Sequence, residues 1–127
     1  MKLRIENNSV RFRITPEEIE RLNDRCRVEA STRLMSSDGK NLEGEFIYAL
    51  TVDSEGGPTR CLIESSFIML ILHPDDVAIL NAPGKKSVYY QRESNLPSGE
   101  VERFMAYVQI DKPMKNRKRP EKWLEEA

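Results

Sequence analysis

Two short alternating runs at the N-terminus constrain this chain more than anything else in it. Leu3 and Ile5 alternate with Lys2, Arg4 and Glu6, and Val10, Phe12 and Ile14 alternate with Arg11 and Arg13. Strict period-two alternation is the mark of a half-buried strand. Between the runs sits Asn7-Asn8, and asparagine tolerates the positive φ that a two-residue type I′ turn requires. The expected hairpin sets Ile5 opposite Val10 and Leu3 opposite Phe12, so its apolar residues share one face.

The same register fixes the other face. Lys2 falls opposite Arg13 and Arg4 opposite Arg11, and like charges directly opposed across a ribbon destabilise it by up to roughly 1 kcal/mol per pair. Two readings follow. Either an anionic ligand or partner meets the four cations, since arginine presents a fork matched to phosphate and carboxylate, or neighbouring acids cover them. Candidates for the cover are Glu6, the helix-start acids Glu17, Glu18 and Glu20, and glutamates of an adjacent strand.

Thr15-Pro16-Glu17-Glu18 reads as a helix start: a capping threonine, proline at the first helical position and a glutamate that completes a capping box. Ile19 and Leu22 give the helix a narrow apolar stripe, and it fades near Asn23-Asp24. Further strands are expected over Arg27 to Leu34, Glu45 to Asp53, Thr59 to Leu72 (continuous, or broken at Ser65-Ser66), Lys86 to Gln91 and Val101 to Ile110. The second half of the Thr59–Leu72 run is apolar in both phases, as in a strand covered on both faces. A second short helix starts at His73-Pro74-Asp75-Asp76 and stops at Pro83-Gly84. No internal repeat is visible. Strands outnumber helices and most connections are hairpin-like. That points to an α+β fold of mainly antiparallel sheet, curled or barrel-like in one version, with two short helices. Residues 1–111 form the expected single domain and residues 112–127 a basic, proline-containing tail.

With 127 residues, 39% of them hydrophobic and 32% charged, the chain can bury one core of ordinary size. Its net charge of −1 supplies no global field to attract nucleic acid or a membrane. Its longest apolar run, Phe67 to Leu72, is too short to cross a bilayer. Cys26 and Cys61, with no export signal ahead of them, are expected as reduced thiols in a cytoplasm.

Other candidate chemistry is thin. The tail Lys112-Pro113-Met114-Lys115-Asn116-Arg117-Lys118-Arg119-Pro120 could touch phosphates, but no aromatics interleave with its cations and acids follow it. Trp123, beside Leu124, could dock on the domain or on a partner subunit. His73 with Asp75 and Asp76 suggests a metal or acid–base pair, yet acids in a first helical turn are ordinary dipole partners. Glu43, Glu45, Glu64 and Asp53 lie on or near strands with no sign that they converge. Tyr89, Tyr90 and Tyr107 read as half-buried strand residues. Common catalytic, nucleotide-binding and zinc-ligand patterns are absent, so no cofactor and no metal is expected.

The opening from Lys2 through Thr15, continued by Glu18 and Ile19, resembles a family of small uncharacterised bacterial proteins that begin K-x-R-I-x-x-N-S-x-R-x-R-L-T-x-x-E-V. Ile71-Leu72-His73-Pro74 and the Val101–Pro113 region are also similar. The family carries E-K-D-F-x-C in its last strand and an acidic tail. This chain has Glu102-Arg103-Phe104-Met105-Ala106-Tyr107 and a basic tail instead. The resemblance implies a bacterial, cytoplasmic setting and no established activity.

The sequence therefore favours a non-enzymatic binding domain, extending to a homo-oligomer, whose working surface includes Lys2, Arg4, Arg11 and Arg13. Its expected partner is an anionic small molecule or an acidic protein surface, with nucleic acid and membrane disfavoured. The alternatives are a small carboxylate enzyme with its site inside a curled sheet, and nucleic-acid binding through the basic tail.

Overall fold

The computed structural model describes residues 1–84 and 87–111. Eight strands and two helices follow the chain as β1 (Lys2–Glu6), β2 (Ser9–Ile14), α1 (Pro16–Arg25), β3 (Arg27–Met35), β4 (Leu42–Val52), β5 (Arg60–Glu64), β6 (Phe67–Leu72), α2 (Pro74–Asn81), β7 (Ser87–Asn95) and β8 (Val101–Ile110). The fold is α+β. Most pairings are antiparallel hairpins, but the strands divide into two separate sheets, β1-β2-β8-β7 (sheet A) and β3-β4-β6-β5 (sheet B). Each sheet joins two hairpins through one parallel pair, β2 with β8 and β4 with β6. Strands within a hairpin are neighbours along the chain, whereas the parallel pairs are distant, so period-two patterning could reveal the former and not the latter.

The N-terminal hairpin has the expected register, Leu3 with Phe12 and Ile5 with Val10. Asn7 and Asn8 both take positive φ, 48° and 60°, as a type I′ turn demands. Thr15 caps α1 and completes a capping box with Glu18, and the helix runs on to Arg25 rather than fading two residues earlier. The Thr59–Leu72 run breaks at Ser65-Ser66 into β5 and β6.

The inward faces of both sheets, with Ile19 and Leu22 of α1 and Leu80 of α2, form one buried cluster. Phe12, Ile14, Leu50, Leu70, Leu72 and Val108 are fully buried in it. The interior expected of a carboxylate enzyme is thus filled by apolar side chains, and the only charged residue buried among those described is Glu18.

Contrary to the sequence reading, the chain is an internal duplication. Hairpin, helix and hairpin (β1β2-α1-β3β4) recur as β5β6-α2-β7β8, with the first hairpins and helices displaced by 58 positions. Both β2 and β6 alternate half-buried and buried residues in the same phase. Both helices have proline in the first turn and a capping box. Hydrogen bonds repeat too: Met105 N–H to Asn8 O (3.1 Å) matches Ile47 N–H to Ser66 O (2.9 Å), and Asp111 N–H to Ile14 O (2.6 Å) matches Asp53 N–H to Leu72 O (2.9 Å). Asn23 and Asn81, equivalent residues, bond each other reciprocally at 3.0 and 2.9 Å, which places them on the pseudo-two-fold axis. Each half lends its first hairpin to one sheet and its second to the other, so neither half completes a sheet alone.

Because one core spans both halves, damage to either half should unfold the whole. Phe12→Ala is expected to cost about 3–5 kcal/mol and its counterpart Leu70→Ala about 2–5 kcal/mol. Urea unfolding followed by far-UV and tyrosine near-UV circular dichroism should show one transition in each variant. A half that unfolds separately would show up as two.

A cationic and aromatic face as candidate functional site

Outward positions on sheet A are Lys2, Arg4 and Glu6 on β1, Ser9, Arg11 and Arg13 on β2, Met105, Tyr107 and Gln109 on β8, and Ser87, Tyr89 and Gln91 on β7. The pairings Arg4–Arg11, Arg11–Tyr107 and Tyr107–Tyr89 line up one row across all four strands. The next row holds Lys2, Arg13, Gln109 and Ser87. All four cations singled out from the sequence therefore share one face, as the hairpin register required.

Acids do meet part of this charge, though not the helix acids that the sequence suggested. Arg4 pairs with Glu6 at 2.7 Å, and Asp111 sits 3.4 Å from Lys2 and 3.8 Å from Arg13. These contacts are largely solvent-exposed, and such pairs contribute about 0–1 kcal/mol each. Arg11, in the centre, makes no ion pair among the described residues; its guanidinium lies over the Tyr107 ring, 5.8 Å from the centroid. Tyr107 in turn meets Tyr89 at 6.5 Å between centroids, tilted by 46°. Tyr89 is 62% exposed, unlike the half-buried position expected for it, while Tyr90 packs against the core. Arg13 Nε is buried with no hydrogen-bond partner among the described residues.

The duplication separates what the fold needs from what this face adds. Lys2–Asp111 has its counterpart in Arg60–Asp53 at 3.1 Å, so that pair serves both halves as a clasp between first and last hairpins. The Glu55 N–H, with Arg60 beside it, holds the Asp53 carboxyl below its ordinary range. Arg4, Arg11 and Arg13 have no such counterparts: Leu62, Met69 and Ile71 occupy those positions on sheet B. Across from Met69 stand Ala49 and Glu29 in place of Tyr107 and Tyr89. Sheet B thus has a half-exposed apolar patch on its outer face, where Phe67, Met69 and Ile71 lie beside Ile47 and Leu62 and are flanked by Arg60, Glu64, Arg27 and Glu29. The strand packing accepts either surface, so the basic-aromatic row is not a demand of the core.

The other candidates have local roles. His73 caps α2 by accepting the Asp75 N–H at Nδ1 (3.0 Å), and Asp76 accepts the His73 N–H (2.9 Å) and the Thr59 hydroxyl. Glu43, Glu45 and Glu64 are exposed, and no group of three metal-ligating side chains occurs among the described residues. Cys26 and Cys61 are free thiols, and burial pushes the Cys61 thiol up to about 11. The basic tail and Trp123 lie outside the described residues. Among the described residues, no helix is long and apolar enough to cross a membrane.

The architecture defines a duplicated, two-sheet α+β domain with one basic, aromatic face. A family model described as a family of unknown function, DUF7009, matches residues 1–112, and the chain belongs to that family. No curated protein and no solved structure matches the chain.

Glu18 offers a check on this frame through pH. Burial raises its pKa, but the Met1 amino group at 2.6 Å and the Thr15 N–H and hydroxyl outweigh that and bring it below the ordinary value of 4.5. A depressed folded-state pKa stabilises the protein above the unfolded-state value, and the benefit disappears as pH falls through the folded one. Glu18→Gln should therefore lose about 1.5–3 kcal/mol at pH 7. In urea titrations the gap to wild type should close as pH drops below 4.5; a gap that persists at pH 3 would refute this account.

Proposed function

We propose that the protein is a non-enzymatic binding domain that holds an anionic partner on the outer face of sheet A, through Arg4, Arg11 and Arg13 with Lys2 at the margin. The observation that carries this reading is Arg11: it stands opposite another arginine, has no carboxylate partner among the described residues, and rests on Tyr107. A guanidinium laid on a ring keeps its outward N–H groups available to an incoming anion. A bacterial, cytoplasmic setting accompanies the reading, supported by the sequence resemblance and by two free thiols.

A charge-matched pair of variants tests it. Arg11→Glu on this face and Arg33→Glu on β3 of sheet B change the net charge equally. Against a poly-glutamate peptide and an oligonucleotide as anionic probes, Arg11→Glu should weaken binding at least tenfold while Arg33→Glu stays within about twofold, since surface charges away from a contact act mainly through screened fields. Equal losses would reduce the effect to net charge and remove the proposed site.

Self-association is the second part of the proposal. The apolar patch on the outer face of sheet B supports it, because Ser9, Arg11 and Arg13 hold the equivalent positions on β2 and the fold itself does not require Phe67, Met69 and Ile71 to be apolar there. Sedimentation of wild type should report a dimer, and Met69→Lys a monomer with unchanged circular dichroism. A wild-type monomer at high concentration would discard this part.

A further inference from the structure

We infer that the partner of the sheet A face is a single-stranded nucleic acid, with its backbone on the arginines and its bases on the tyrosines. This rests on the proposed anion-binding face and names its occupant. The tail alone made nucleic acid a poor expectation, because no aromatic residue interleaves with its cations. The fold supplies those aromatics from other strands. Arg4, Arg11, Tyr107 and Tyr89 stand in one row across β1, β2, β8 and β7, so two charged forks adjoin two flat rings although the two pairs are far apart in sequence.

Charge complementarity selects the class of partner. An acidic peptide would satisfy the arginines and leave the exposed Tyr89 ring with nothing to recognise. A strand of unstacked nucleotides presents both a phosphate and a π-face at each step, and base–aromatic stacking needs no particular sequence. A duplex would hide its bases from a flat sheet. Four strands at 4.7–4.9 Å spacing make a platform about 15 Å wide, enough for roughly two or three bases on a sheet of this kind. The acids lie away from the centre, Glu6 with Arg4 and Asp111 with Lys2 and Arg13, and the middle of the row is free of them.

The test is fluorescence anisotropy of the full-length protein with labelled twelve-residue oligo-U and oligo-dT, beside a labelled poly-glutamate peptide. Tyr89 is exposed, so Tyr89→Ala should fold, and circular dichroism checks that it does. Wild type should bind the oligonucleotides with an affinity that falls steeply with salt. Tyr89→Ala should weaken that binding by roughly five- to a hundredfold, and Tyr89→Phe should restore it. A variant with Lys115→Gln, Arg117→Gln, Lys118→Gln and Arg119→Gln should still bind and should keep the Tyr89 effect.

Oligonucleotide binding that is abolished by the tail changes yet indifferent to Tyr89→Ala would move the strand to the tail and overturn the inference. Binding of poly-glutamate in preference to the oligonucleotides, lost in Arg11→Glu, would also overturn it while leaving the anion-binding face standing. Binding of neither probe would remove both.

Discussion

Everything in this structure depends on the two parallel contacts that join hairpins from opposite halves of the chain, β2 against β8 and β4 against β6. Hairpins are local and form wherever a turn permits, but a lone hairpin is marginal in water. Only when the first hairpin of one half meets the second hairpin of the other does a four-stranded sheet exist with a face wide enough to bury. The helices follow from this arrangement. Each carries the chain from one sheet to the other, α1 from β2 to β3 and α2 from β6 to β7, and the two meet at the Asn23–Asn81 pair. The clasp of Asp111 on Lys2 and Asp53 on Arg60 sits where each parallel pair ends.

Duplication also gives an internal comparison that few single chains offer. Two sheets with the same strand order and the same buried phase differ almost completely on their outer faces. Where β6 presents Phe67, Met69 and Ile71, β2 presents Ser9, Arg11 and Arg13. Features common to both faces, such as the aspartate clasp, belong to architecture. Features confined to one face are added to it, and on sheet A they are guanidinium groups beside phenol rings. That difference gives the proposed binding surface its footing, because the core does not ask for it.

Much of the local structure was legible in the residues. Period-two runs located the strands, Asn7-Asn8 fixed the first hairpin and its register, and Thr15-Pro16-Glu17-Glu18 and His73-Pro74-Asp75-Asp76 marked both helices. The cations Lys2, Arg4, Arg11 and Arg13 were placed on one face by register alone. The duplication stayed hidden for a physical reason: half of each strand faces outward, where the two copies diverge most, so along the strands it is mainly inward residues such as Phe12 and Leu70, or Val10 and Ile68, that keep their character. The aromatic half of the face was hidden too. Tyr107 and Tyr89 reach Arg11 only through the β2–β8 contact, a pairing between distant segments that no local pattern encodes. Asp111 was missed as the partner of Lys2 and Arg13 for the same reason.

The exchange of hairpins imposes an order on folding. Sheet B is drawn from the contiguous middle of the chain, β3 through β6, whereas sheet A unites its two ends. Contacts of such long sequence separation form late, since the entropy of closing the intervening loop is lost before any pairing rewards it. During synthesis the β1–β2 hairpin therefore stands with an open edge until β8 emerges. An open edge is a template for association with other chains, and charged side chains are the usual safeguard. Lys2, Arg4, Arg11 and Arg13 are charges of that kind on the hairpin that waits longest. The sticky strand β6, Phe-Ile-Met-Leu-Ile-Leu, has no such charges, but its partner β4 has already been made when it appears. The distribution of charge between the two equivalent hairpins thus matches how long each must remain unpaired.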